Sequence, residues 1–160
     1  MTDFRPGDCV VKIYVPATAN RFLWNIDGNV GVSSPNKKED VELVQFGYFA
    51  MSQVLKSNAK VKAIAAAVVP GAGYSGAAND PLTLAILAHQ QARGGTQDKH
   101  VSPVHGAVES YNAPDGPHTF MLTALMNNMS VLMPDDFPRI DKHPRCPAEL
   151  KKVIRKLMVG

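Results

Sequence analysis

The stretch from Asn36 to about Lys56 constrains the fold more than any other part of the chain. Val41, Val44, Tyr48, Met51 and Leu55 recur at intervals of three and four, so on a 3.6-residue period they share one side of a helix. Leu43, Phe46, Phe49, Ala50 and Val54 widen that surface, and the spacing predicts a helix covered on more than one side. Asn36-Lys37-Lys38-Glu39 has the form of a capping box. Asn36 would accept from a free backbone N–H, and Glu39 would answer back to the cap. Asp40 adds negative charge in the first turn, where the exposed N–H groups favour it. Ser57-Asn58 ends the segment.

The remaining sequence is punctuated too often for a plain bundle or coiled coil, with 12 glycines and 12 prolines in 160 residues. At 45% hydrophobic it is too apolar for wholesale disorder, and its length suits one domain that needs no metal or disulfide staple. Cys9 to Val15 is β-rich and stops at Pro16, which predicts a short N-terminal strand. Phe22-Leu23-Trp24 is an apolar cluster before an Asp27-Gly28-Asn29 turn, and Trp24 reads as an anchor for the strand rather than a ligand platform. Lys60 to Val69 is open between alternating strand and Ala-rich helix. Pro70 to Gly76 is a glycine-rich turn whose spacing, with no Lys-Ser/Thr following, does not fit a phosphate loop.

Asp80-Pro81 is a clean helix start, an acidic cap followed by proline where the missing N–H costs nothing, and Gly94-Gly95 stops that helix after Arg93. His89 falls on its apolar side and reads as a hydrogen-bonded residue at the core edge. Residues 95–117 read as a long connection, and Asp115-Gly116-Pro117 as the start of another helix through Phe120, Leu125 and Met129, fading near Asn127 to Ser130. Met133 to Pro138 reads as a stiff, extended linker. A last helix begins at Cys146-Pro147-Ala148-Glu149 with proline at its first position, and Leu150, Val153, Ile154 and Leu157 form its stripe. The expected class is mainly α, with a short N-terminal strand and a C-terminal amphipathic helix.

Charge is uneven. From Arg139 onward seven basic residues face only Asp141 and Glu149, an excess of +5, whereas the first 138 residues carry ten basic and twelve acidic. Lys151, Lys152, Arg155 and Lys156 therefore form a candidate partner surface for protein or another anionic face. The C-terminal helix has no aromatic for stacking, and no helix-turn-helix spacing stands out, so nucleic acid is not the expected partner.

The catalytic options are thin. His100 and His105 with Asp98 or Glu109 share no fixed face, and no HExxH motif or cysteine pair supports zinc. Cys146 follows His143 by three residues, which does not orient a thiol–imidazole pair. Asp135-Asp136 are adjacent and carry no specific acid–base signal. Cys9 and Cys146 lie at opposite ends and read as reduced, unpaired thiols. No catalytic residue, metal or cofactor is expected. The N-terminus lacks a basic region before an apolar core and no apolar run approaches 18 residues, so the expectation is cytoplasmic, or exported without a classical signal peptide.

Two segments resemble a family. Gly28-Asn29-Val30-Gly31, Asn36 and Asp40-Val41-Glu42-Leu43-Val44-Gln45 are similar to the opening of bacterial peptidoglycan-binding-like domains, where a glycine turn precedes a helix reading N…DV..VQ. Gly73-Tyr74-Ser75-Gly76, followed by Asp80-Pro81 and the run to Gln90, resembles the family's glycine-flanked turn and its T..AI..FQ helix, with Thr83, Ala85-Ile86 and Gln90 in the matching places. The sequence departs in three ways: His89 replaces an aromatic, the acidic residue before the turn is missing, and Ala77-Ala78-Asn79 is inserted.

The resemblance spans residues 28–90, and implies a helical domain over 28–133, flanked by an N-terminal extension (1–27) and by a linker with a basic helix (134–160). It also implies a shallow groove for a muropeptide or glycan, which would use Tyr74 for stacking and Asn79, Asp80 and Gln90 for hydrogen bonds. Because the turn departs from the pattern, the leading expectation is a non-catalytic structural or adaptor protein of a bacterial export or tail-like apparatus. The alternative is a peptidoglycan- or glycan-binding module, with a cell-wall hydrolase behind it.

Overall fold

The computed structural model describes residues 11–14, 23–54, 57–94, 96–104, 110–113 and 116–158, with side chains for all of these except 11–14, 110–113 and 116–119. The architecture is mainly α, as the sequence predicts. Five helices are described: α1 (Lys38–Gln53), α2 (Ala59–Ala65), α3 (Pro81–Arg93), α4 (Met121–Leu132) and α5 (Ala148–Met158). Six short strands form three antiparallel two-stranded ladders. β1 (Val11–Tyr14) pairs with β2 (Leu23–Ile26), β3 (Val30–Gly31) with β4 (His100–Val101), and β5 (Ser110–Ala113) with β6 (Gly116–Thr119). Among the described residues no helix is long and apolar enough to cross a membrane.

α1 lies at the centre and is buried around almost its whole girth, touching α2, α3, α4 and α5. Leu43, Phe46 and Tyr48 are wholly inside, although they point in different directions around the helix. Gly47 lets α4 come close: a Cβ there would stand 2.9 Å from Leu125 Cβ. One apolar core runs from Leu23 to Ile154 and takes residues from β2, from all five helices and from the turn at Ile140. Trp24 is an anchor, as expected. It is 1% exposed, and its Nε1–H donates to the Pro138 carbonyl at 2.6 Å.

Several local expectations hold. Asp80 caps α3 by accepting from the Leu82 N–H at 2.8 Å, Pro81 opens the helix, and Gly94 closes it at φ 74°. The ambiguous stretch after Asn58 becomes helix α2, capped by the Asn58 side chain on the N–H groups of Lys60 and Val61. The Leu150, Val153, Ile154 and Leu157 stripe falls on one side of α5 and packs on the core, with Leu150 and Ile154 fully buried.

Others are corrected. Asn36 does not cap α1. Lys37 holds that position without a side-chain bond, while Asn36 sits at φ 49° and clasps Gly31 through both its amide atoms. The helix ends at Gln53. Gly116 to Thr119 is a strand and α4 begins only at Met121, running on to Leu132. Proline is tolerated in an edge strand, so Pro117 does not require a helix start, and Asp115 lies outside the described residues. Met133 to Pro138 is not extended. It folds back through bonds from the Asp136 and Phe137 N–H groups to the Met133 carbonyl, then enters a 3-10 turn at Ile140–Lys142. Pro147 stands just before α5 rather than at its first position. Cys9, Leu55, His105 and Glu109 lie outside the described residues.

Candidate functional site

Most polar residues of the two motif segments are turned inward and brace loops. Asp40, in the first turn of α1, accepts from the Asp27 N–H at 3.2 Å and the Gly28 N–H at 3.0 Å. Burial raises its carboxyl to about 7 against those two donors. Gln45, on α1, accepts from the Gly71 N–H and donates to the Ala72 carbonyl, both at 2.9 Å. Gln90, near the end of α3, accepts from the Lys99 N–H at 2.9 Å and donates to the His100 carbonyl at 3.1 Å and to Asp98 Oδ1 at 2.7 Å. Asn25 makes the same kind of two-atom clasp on Val104. A side-chain amide mimics a backbone amide, so a buried Asn or Gln satisfies the donor and acceptor of a loop that has no strand partner.

The four residues expected to form a sugar groove therefore do different things. Gln90 is 4% exposed and committed to β4. Asp80 is a helix cap. The Tyr74 hydroxyl bonds Thr83 Oγ1 at 2.6 Å and its ring packs partly on the core. Asn79 is exposed in the turn before α3. Along α3, Thr83 and Gln90 stand seven residues apart, roughly 10 Å of helix rise. Tyr74, Asn79 and Asp80 gather at one end of α3 and Gln90 at the other.

A concave surface that the sequence does not announce lies between α1, α2, α3 and α4. It is a cleft of about 410 Å³. Met51, Val54, Val61, Ala92, Ala124 and Val131 make its walls. Ser57, Asn58, Asn127 and Asn128 give it a polar rim with Arg93, and no carboxylate is among its described lining residues. His89, 6% exposed, also lines it. Its Nδ1 meets the Tyr48 hydroxyl at 2.9 Å, with the rings edge to face. Burial holds the Tyr48 phenol protonated and lowers His89 to about 4, aided by the positive charge of Arg93. The imidazole is thus neutral at pH 7. In the tautomer in which Tyr48 donates to Nδ1, the ring proton sits on Nε2, on the ring edge away from Tyr48.

The basic surface is the second feature. α5 buries Leu150 and Ile154, which directs its cations outward, with Lys152 and Arg155 side chains 73% and 60% exposed. Lys151 is half-buried and Lys156 exposed. Asp141 is buried beneath this face, forked by Arg139 through two 2.9 Å bonds and approached by Arg155 at 3.5 Å. Arg139 beside it holds its carboxyl below the usual range. Burial raises the carboxyl of Glu42 on α1, and the Leu150 N–H in the first turn of α5 opposes that rise, while Glu42 Oε1 is buried without a hydrogen-bond partner among the described residues.

Among the described residues, groups that invite catalytic readings do not converge. His100 Nε2 lies 3.2 Å from Asp98 Oδ2, but no cluster of three or more potential metal ligands occurs among the described residues. Cys146 is buried and its thiol is pushed up to about 12, the wrong direction for a nucleophile. Nδ1 of His143 accepts from the Arg145 N–H, and its ring stands edge-on to Phe46 and Phe49. No protein-family model, curated protein or solved structure matches the chain.

Proposed function

We propose that this chain is a non-catalytic structural or adaptor protein that meets an acidic protein surface through the outward basic face of α5. The observation that carries this reading is how the polar side chains are allotted. Asp40, Gln45 and Gln90 turn inward and brace loops, while Lys151, Lys152, Arg155 and Lys156 stand on a helix whose apolar stripe is already used by the core. A helix so anchored has no apolar face left to insert into a membrane, and its excess positive charge favours an acidic partner. Service in a bacterial export or tail-like apparatus rests on the resemblance of residues 28–90 alone. Peptidoglycan binding is the competing reading, which needs Tyr74 and Asn79 to serve a ligand without Gln90.

The test is lysine cross-linking during affinity purification from the source cell, at about 150 mM and about 500 mM salt. The expected result is one partner linked through Lys151, Lys152 or Lys156. It should be lost at high salt and lost in Lys152→Glu/Lys156→Glu, which alters only the surface. A partner kept by that variant, or linked elsewhere, would overturn the assignment of this face.

A further inference from the structure

The cleft between α1, α2, α3 and α4 is separate from the basic face and unused by the proposed adaptor role. Its volume of about 410 Å³ lies in the range of small-ligand sites, and its make-up follows their pattern of apolar walls with few polar groups. An extended alkyl or aryl group fits. Deep in the apolar wall stands one buried imidazole. Tyr48 meets its Nδ1 at 2.9 Å, and that is the one hydrogen bond described for its ring. With the ring proton on Nε2, that donor prefers an occupant that brings an oxygen, since an apolar one would leave it unsatisfied. Arg93 in the rim places positive charge near His89, which disfavours a cation.

The geometry points to a binding site for a small apolar acyl or aryl compound bearing a carbonyl or carboxylate oxygen, seated with that oxygen on His89 Nε2 and its body against Met51, Val54, Val61 and Val131.

The experiment is an NMR titration of the methyl-labelled full chain with octanoate, beside octyltrimethylammonium, which has the same chain and no acceptor oxygen. Saturable shifts are expected for octanoate, centred on the methyls of Met51, Val54, Val61 and Val131. Affinity should fall about tenfold in His89→Phe, the worth of one hydrogen bond. Ala92→Leu, at an exposed wall position one turn beyond His89, narrows the cleft and should abolish the shifts even if His89→Phe fails to fold. Absence of saturation, equal binding of the ammonium, or octanoate binding retained in Ala92→Leu would each overturn the proposal.

Discussion

Replacing Gln90 by alanine separates a loop brace from a ligand contact. The side chain is buried and makes three bonds, two to the backbone of β4 and its approach and one to Asp98. Alanine leaves the Lys99 N–H and the His100 carbonyl without partners. A buried polar group left unpaired costs about 1–3 kcal/mol. Lys99 and His100 are both half-buried, so water can reach them as the loop loosens, which places each near the low end. With the lost packing of the side chain, the expected destabilisation is about 2–4 kcal/mol, or roughly 6–12 °C in Tm for a chain of this length. The assay is urea unfolding with unchanged m-value, read against Gln91→Ala on the exposed side of α3, expected within about 0.5 kcal/mol of wild type. Amide exchange at Lys99 should accelerate in Gln90→Ala. If both variants matched wild type in stability, the residue would not be a brace, and its reading as a ligand contact would return.

Three further outcomes are expected. The folded value of about 7 for Asp40 exceeds its ordinary 3.8, so its contribution to stability falls as pH rises across that interval. For His89 the folded value of about 4 lies below 6.5, so its contribution rises with pH between them. The slopes oppose: Asp40→Asn should tilt the stability profile upward with pH and His89→Gln downward, each by at most ~1.4 kcal/mol per pH unit. Urea midpoints across that interval check this, and unchanged slopes in both variants would refute it. Trp24→Phe, which frees the Pro138 carbonyl, should cost about 1–3 kcal/mol. A smaller loss, measured by calorimetry, would show that this bond does not tie β2 to the 134–146 segment. In a Cys9→Ser background, Cys146 should react with a thiol reagent only as the chain unfolds, and prompt native-state labelling would contradict its burial.

Legibility in the sequence follows the range of the interaction. α3 is readable at both ends because Asp80, Pro81 and Gly94 act on backbone within a few residues. The body of α1 is readable because its apolar positions keep the helical period. Its start is not, because Asn36 had two possible partners, the helix N–H groups and Gly31, and the choice depends on where β3 lies. Gln45 and Gln90 match a motif, yet their partners at Gly71 and Lys99 follow from tertiary placement. Tyr48 and His89 are 41 positions apart, and the cleft they border needs four helices in register. The sequence signal was only a polar residue on each apolar face, which fits a core-edge histidine as well as a site.

The most direct measurement is sedimentation with purified, insoluble peptidoglycan at about 150 mM and about 500 mM salt, using wild type, Tyr74→Ala and Lys152→Glu/Lys156→Glu. With the inward polar residues committed to loops and the basic face of α5 outward, any binding should disappear at high salt and in the charge-reversed protein, and be indifferent to Tyr74→Ala. Binding that survives high salt and falls with Tyr74→Ala would contradict the adaptor reading and establish a wall-binding groove at the start of α3.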